Sequence, residues 1–376
     1  MSSPSSARID RLQRRAASEE SVIGLAGGLP DPRLFPRRDL GDALFRALHR
    51  PNEALQYGWP EGELELRKWV AARLGARGAS LGPEHVIVTS GAQQAIALAA
   101  HVLFSAGQTV GLSDVSYPGA IDILRSLGLQ LISWRDRACG YYLMPAIGNP
   151  DGQSMTEDER RDLVGRLALE GSTLIEDDAY VESRFDGRLA RPLVADLPER
   201  VLHVGTLSKV LCPGLRVGWL ATRHPALGRI LAEKQQADLQ AASLTQRIVV
   251  EYLRGFRFER HLLQVRRDYQ RKAKRLRDAV LRELPEFRVD EPRGGLSLWL
   301  EHRDPVAGFD DLTLLAAAIR NGVSFDPGRS FRPLESRQLG LRLCYGSVPE
   351  GDLERGVTRL AEALREVRGP VSSRNA

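Results

Sequence analysis

An α/β architecture with a mostly parallel sheet, followed by a smaller α+β domain, is what the sequence predicts. Three observations lead there. The chain has 376 residues, more than the roughly 100–200 of an ordinary single domain. Between about residues 50 and 250, short apolar runs alternate with helical stretches of roughly ten to fifteen residues, the signature of crossover units. Beyond that region, a long amphipathic run precedes a few strand-like segments and a last helical one. Hydrophobic residues at 43%, charged residues at 27%, and 35 Gly with 21 Pro describe a globular chain, which excludes fibrous and wholly disordered readings.

The elements follow in order. The first twenty or so residues are rich in Ser and Arg without sustained periodicity, as in a mobile tail or a short helix. DLGDALFRALHR is helical and ends before Pro51. After the loop NEALQYGWPEG, the run ELELRKWVAARL places Leu66, Trp69, Val70 and Leu74 at helical spacing. HVIVT reads as a buried strand, AQQAIALAAHVLF as a helix, QTVGLS as a strand, YPGAIDILRSLG as a helix and LQLISW as a strand. TEDERRDLVGRLAL is helical, and STLIED, VLHVGTLS and LRVGWLAT are strands. After Pro225 two long helical stretches are expected. In the second, Leu262, Val265, Tyr269, Leu276 and Val280 form one apolar stripe, suited to a helix that links two domains. Strands near LSLWLE, GVSFD and LGLRLCYG and the helix EGDLERGVTRLAEALREV complete the chain. The expected organisation is a tail over 1–23, a segment of the smaller domain over 24–49, a large domain over 50–255, and the linking helix with the rest of the smaller domain over 256–376.

Composition narrows the function classes. No apolar run is long enough to span a membrane, and MSSPSSARIDRLQRRAASEE has no apolar core of the kind a signal peptide carries. A cytoplasmic protein is expected. Cys139, Cys212 and Cys344 are scattered without metal-ligand spacing, so neither a disulfide framework nor a metal site is expected. The net charge of +5 comes from arginines interspersed with acids, which reads as a solvated surface rather than a nucleic-acid face. Lysine is scarce: Lys68, Lys209, Lys234, Lys272 and Lys274 are the five.

One of the five stands in the most informative segment, GTLSKVLCPGLRVGW over residues 205–219. An apolar strand ends in the small hydroxyl residues Thr206 and Ser208, then Lys209, and Arg216 opens the next strand seven residues on. An amine that forms a Schiff base needs fixed orientation, and neighbouring hydroxyls with a guanidinium suit a phosphate. The bland reading, a surface lysine in a turn, loses weight once PGLRVGW follows. These residues resemble the fold-type I pyridoxal-phosphate enzymes of the class I/II aminotransferase family. The similarity is greatest to the aminoadipate-aminotransferase-like branch that also supplies the C-terminal domain of MocR-type regulators, and it runs from about Gly24 to the last helix. It implies that Lys209 is the Schiff-base lysine and that Thr206, Ser208 and Arg216 bind the cofactor phosphate.

Further segments answer other needs of that cofactor. Its pyridine nitrogen calls for a carboxylate. Asp177 in IEDDAY meets it, with Tyr180 completing the family's Asp-x-x-Tyr; Asp178 is the competing carboxylate, one position away on the other face. Ser90-Gly91-Ala92-Gln93 lies where a strand turns into a helix, a natural anion site, so Gly91, Ala92 and Gln93 are phosphate-cup candidates. The resemblance implies that Tyr117 stacks on the pyridine ring, and that Asn149, in GNPDG, contacts the cofactor's phenolic oxygen, as does Tyr180. Against these stand ordinary alternatives: a core tyrosine and an Asn-Pro turn. For the substrate it implies that Arg342 clamps the α-carboxylate and that Gly27-Gly28 cross over the site, with Asn149 also near the substrate. Tyr57 matches the tyrosine donated to the neighbouring subunit's phosphate, which implies a homodimer.

The sequence also departs from the family. Only RDRACGYYLM separates LQLISW from PAIGNPDG, where an extra helix and strand are usual, so a shortened sheet edge or substrate wall is expected. Pro327-Gly328-Arg329 replaces Pro-Gly-Ser, so Arg329 is expected to reshape the side-chain pocket. The stretch before Gly24 has no room for a winged-helix domain, which counts against a MocR-type regulator. The expectation is therefore a cytoplasmic, homodimeric aminotransferase of amino acid metabolism or biosynthesis, acting on an L-amino acid and a 2-oxo acid, with no nucleic acid or membrane partner. Elimination, cyclisation or oxidase chemistry on the same scaffold, and a non-catalytic pyridoxal-phosphate sensor, are the rival readings.

Overall fold

The computed structural model describes residues 9–368 apart from 10, 15, 17, 20, 50–53, 256 and 305–307. Two sheets organise it. The larger has seven strands: β2 (Val86–Thr89), β3 (Thr109–Leu112), β4 (Gln130–Ser133), β5 (Gly140–Leu143), β6 (Thr173–Asp177), β7 (Val201–Thr206) and β8 (Gly218–Ala221). Their spatial order is β2-β8-β7-β6-β5-β3-β4. The pairs from β4 to β7 are parallel, whereas β8 runs antiparallel to both β7 and β2. A strand that is inserted backwards between two others makes the sheet mixed, which the short apolar run RVGWLAT gives no means to foresee.

Helices cover both faces of this sheet: α3 (Ala92–Leu103), α4 (Pro118–Ser126), α5 (Glu157–Glu170) and α6 (Leu227–Asp238), with α2 (Leu64–Gly75) beside β2. In α5, Thr156 and Glu159 form a reciprocal capping box, and Gly171 ends the helix in the left-handed conformation, which fixes its length from both ends.

The smaller sheet has the order β1-β11-β12-β10-β9, formed by β1 (Ile23–Leu25), β9 (Phe287–Val289), β10 (Ser297–His302), β11 (Val323–Pro327) and β12 (Gly340–Cys344). β1 pairs in parallel with β11, so the N-terminal segment is stitched into the C-terminal part of the chain. Helix α1 (Arg37–Leu48), by contrast, packs on α7 (Ser243–Leu253). Helices α9 (Asp311–Arg320) and α10 (Glu350–Arg368) pack on each other and against β11.

Between the two sheets runs α8 (Arg257–Glu283). Its stripe Leu262, Val265, Tyr269, Leu276 and Val280 is buried throughout, each such side chain worth about 1.5–3 kcal/mol before entropy. Where two helical stretches were expected after Pro225, three stand: α6, α7 and α8. Strands β1, β9 and β5 were also not expected. GYYL is too short to show a period, yet as β5 it fills the sheet interior between β3 and β6. Of the expected tail, residues 1–8 lie outside the described residues, and residues 9, 11–14, 16 and 18 are helical.

Candidate active site

Strand topology places the candidate residues. β2, β6 and β7 are neighbours or near neighbours in the large sheet, and each ends on the side that faces the small sheet. Ligands in open α/β sheets bind at these carboxyl ends. β6 ends on Asp177, β7 ends on Thr206 and leads to Lys209, and β2 leads through Ser90 and Gly91 into α3. A cavity of about 1080 Å³ opens there, lined by Gly28, Tyr117, Asn149, Tyr180, Lys209 and Arg342 among others.

Four of the five lysines are already paired. Lys68 meets Glu65 at 2.9 Å, Lys234 meets Asp238 at 2.9 Å, Lys272 meets Asp31 at 2.6 Å and Lys274 meets Asp278. Lys209 has no carboxylate at ion-pair distance among the described residues, and its Nζ stands 5.5 Å from the Tyr180 ring centre. It lines the cavity.

The two adjacent carboxylates face opposite ways, as alternation along a strand demands. Asp177 accepts a hydrogen bond from the Tyr142 hydroxyl at 2.6 Å and from the Ala179 N–H at 3.0 Å. Burial pushes its pKa up, and the Tyr142 and Ala179 hydrogen bonds offset that only in part. Asp178 lies instead against the Arg77 guanidinium at 2.6 Å and His203 Nε2 at 3.0 Å. Burial would raise its pKa too, but Arg77 and His203 outweigh it and the net shift is downward. Asp178 already has its cation; Asp177, on the opposite face with Tyr142 and within electrostatic reach of Lys209, has no ion-pair partner among the described residues.

The turn from β2 into α3 forms an anion cradle. Gly91 takes φ +96°, and a Cβ there would stand 2.4 Å from Arg216 Nη2, so only glycine fits. Arg216 is itself left-handed, at φ 53°, and donates from Nη2 to the Ser90 carbonyl at 2.8 Å. Gly218 opens β8 directly behind; a Cβ there would stand 2.7 Å from the Ala92 nitrogen. The Thr206 hydroxyl donates to the Val217 carbonyl at 2.8 Å and lies 2.9 Å from Ser208 Oγ, joining the lysine loop to Arg216's neighbour. The Tyr117 hydroxyl donates to Gln93 Oε1 at 2.8 Å. Burial pushes its pKa up to about 12, so it stays a donor. The Gln93 side chain is thereby engaged, leaving its backbone N–H as its contribution to the cradle.

Across the cavity, Arg342 donates from Nη1 to Asn149 Oδ1 at 2.9 Å and from Nε and Nη2 to Asp326 Oδ2 at 2.9 and 2.7 Å. Gly28, at φ +59°, lies over it: a Cβ there would be 3.3 and 3.4 Å from Nη1 and Nη2. Arg329 lines the same cavity but is paired with Asp310 and Asp311.

The structure thus brings Lys209, Asp177, Tyr180, Tyr117, Asn149, Gly28 and Arg342 to one region, with Gly91, Ala92, Gln93, Thr206, Ser208 and Arg216 at its cradle end. Tyr57 is not brought there; it is 77% exposed in the loop before α2. Sequence reasoning missed Tyr142 and Asp326. Each is a polar side chain whose partner, Asp177 or Arg342, stands on another strand, so the local sequence carries no signal for the contact. The residue set fits pyridoxal phosphate on two counts: the buried carboxylate of Asp177, which has no ion-pair partner among the described residues and could meet a protonated pyridine, and a helix N-terminus beside Arg216 that a Cβ at Gly91 would fill.

The sequence matches the aminotransferase class I and II family over residues 31–141 and 142–360. It is 34% identical over 368 residues to a 2-aminoadipate transaminase of Thermus thermophilus, covering 92% of this chain and 90% of that one. A crystal structure of α-aminoadipate aminotransferase from Thermus thermophilus, complexed with N-(5′-phosphopyridoxyl)-L-leucine, superposes with a TM-score of 0.86 at 32% identity, covering 96% and 97% of the two chains. The Pyrococcus horikoshii kynurenine aminotransferase, in complex with PMP, gives a TM-score of 0.89 at 28% identity, covering 96% and 95%.

Proposed function

The chain belongs to the class I and II aminotransferase family and is a pyridoxal-phosphate-dependent enzyme, and from that premise we propose that it moves an amino group between an L-amino acid and a 2-oxo acid with Lys209 as the covalent anchor and proton carrier. The observation that carries this assignment is that Lys209, the one lysine of five with no carboxylate partner among the described residues, lines the cavity that Arg342 also lines.

When bound, the cofactor supplies an aldehyde that condenses with amines and a ring that takes up the electron pair left at Cα. The chain's own residues supply the rest. Gly91, Ala92 and Gln93 offer the α3 N-terminal N–H groups to the phosphate, with Arg216, Thr206 and Ser208 beside them. Asp177 would hold the proton on the pyridine nitrogen, Tyr117 would lie beside the ring, and Asn149 with Tyr180 would meet the phenolic oxygen. Arg342 orients the substrate by its α-carboxylate, and a carboxylate held by a guanidinium is poorly placed to leave. Lys209 Nζ would hold the cofactor and, as a free amine, would take the Cα proton as general base and return it as general acid.

The supporting assembly is a homodimer in the cytoplasm. Phe45, Leu48, Leu55, Tyr57, Trp59 and Leu239 are large apolar or aromatic side chains left exposed around α1 and the loop before α2, more than an isolated subunit normally shows in one region. Tyr57 would reach the neighbour's phosphate. Incubation with a panel of amino acids and 2-oxoglutarate, following both the new amino acid and the oxo acid, tests the reaction. Stoichiometric amino transfer is expected; ammonia or a cyclised product formed without any acceptor would overturn it.

A further inference from the structure

Asp326 stands directly opposite Arg342 in the antiparallel β11–β12 pair and is buried at 6% exposure. Five donors converge on its carboxylate, the weakest of them the Cys344 thiol at 3.4 Å from Oδ2. Arg342 Nε and Nη2 donate to Oδ2, the Gly27 N–H donates to the same oxygen at 3.0 Å, and Gln13 Nε2 donates to Oδ1 at 2.8 Å. These donors come from three separate places: strand β12, the crossing segment at Gly27-Gly28, and the helical residues 11–14.

The guanidinium of Arg342 is fixed on every side but one. Its side edge is held by Asp326, Nη1 also reaches Asn149, and one face lies 4.6 Å from the Phe331 ring centre. Nη1 and Nη2 each use one N–H on these partners, Asn149 and Asp326, which leaves one N–H of each for a ligand at the Nη1–Nη2 end of this cavity-lining arginine, with Gly28 lying over the group. That end is the two-pronged face suited to a carboxylate.

We propose that Asp326 is a positioning residue of the amino-acid site: it holds the side edge of Arg342 so that the two-pronged end is presented to the substrate carboxylate, and it ties that arginine to Gly27 and Gln13 above the cavity. The inference rests on the assignment of Arg342 as the carboxylate clamp. Asp326 lines the cavity, and its role is assigned through Arg342, to which it is hydrogen-bonded, so the expected effect is on binding and orientation. With its side edge released, the guanidinium gains rotational freedom, and the cost appears as weaker substrate binding.

The test compares the holoenzymes of the native protein and of Asp326→Ala, Asp326→Asn, Gln13→Ala and Arg342→Gln, using the amino acid that the native enzyme turns over fastest with 2-oxoglutarate. Asp326→Ala is expected to raise KM for that amino acid about tenfold or more while kcat changes less than about threefold and cofactor absorbance is retained. Asp326→Asn, which keeps an acceptor oxygen, is expected to restore part of the loss, and Gln13→Ala to raise KM by a smaller factor. A merely structural residue would lower the melting temperature without this split between KM and kcat. An unchanged KM in Asp326→Asn and Asp326→Ala, or a KM that falls because Asp326 competes with the substrate, overturns the inference while Arg342→Gln still raises KM. If Arg342→Gln leaves KM unchanged, the clamp assignment itself is wrong and the inference falls with it.

Discussion

Asp177 and Asp178 differ by one position and by nothing in composition, so their roles are separable only through what surrounds each. The spacing to Tyr180 favours Asp177 in the sequence, and the strand's alternation turns it toward Tyr142 while Asp178 meets Arg77 and His203. The Tyr142 hydroxyl at 2.6 Å was not legible, because nothing in GYYL says which of two tyrosines faces β6. Removing it deletes a hydrogen bond to a buried carboxylate, a loss of about 1.5–3 kcal/mol for a charged acceptor. Tyr142→Phe should therefore raise the Asp177 pKa further and weaken its hold on the pyridine proton. The visible spectrum of the holoenzyme across pH is expected to show a shifted titration and kcat to fall roughly tenfold or more. An unchanged pH titration would mean that Tyr142 is only packing. Asp326 escaped notice for a related reason: a lone Asp in SFDPG reads as turn chemistry until the cross-strand partner is known.

At the scale of elements, the crossover units were readable because each strand and helix has its own period, and the lysine loop because hydroxyls, lysine and arginine recur at fixed spacing. Strand order was not. Nothing local tells LRVGWLAT to run antiparallel between β2 and β7, or GYYL to fill the sheet interior, since those are consequences of pairing over long sequence separation. The cradle depends on that order: β8 brings Gly218 behind the Gly91–Ala92 peptide, and the turn before it delivers Arg216. Gly91→Ala adds a Cβ at φ +96° and 2.4 Å from Arg216 Nη2, so both backbone and guanidinium must move. Cofactor affinity is expected to fall by about a factor of ten or more, measured by titrating the apoenzyme and following absorbance. Affinity within twofold of the native protein would show that the α3 N-terminus is not the phosphate site.

At the scale of the whole molecule, the small sheet is made from both ends of the chain, and buried ion pairs fasten it. Asp31, next to the crossing segment, accepts from Lys272 of α8 at 2.6 Å, and Lys272 also donates to the Gly346 carbonyl. Burial alone would raise the Asp31 pKa, but the Arg33 and Lys272 hydrogen bonds prevail and bring it down to about 2 from 3.8. A folded-state pKa below the unfolded one contributes stability that is complete above about pH 4 and is lost as the pH falls toward 2. Thermal melts of Asp31→Asn should accordingly lie below the native protein at neutral pH and converge with it in acid; a constant gap would refute the linkage. Assembly is the other property at this scale, and Tyr57 pointed to it in the sequence before its exposure was known. The protein is expected to sediment as a dimer at micromolar concentration, and Tyr57→Phe to retain less cofactor; a catalytically active monomer would contradict this. The most direct test of the central claim is borohydride reduction of the purified, yellow holoenzyme followed by peptide mass mapping. The phosphopyridoxyl label is expected on Lys209 and absent from Lys209→Ala. The same label on Lys68, Lys234, Lys272 or Lys274 would contradict the assignment.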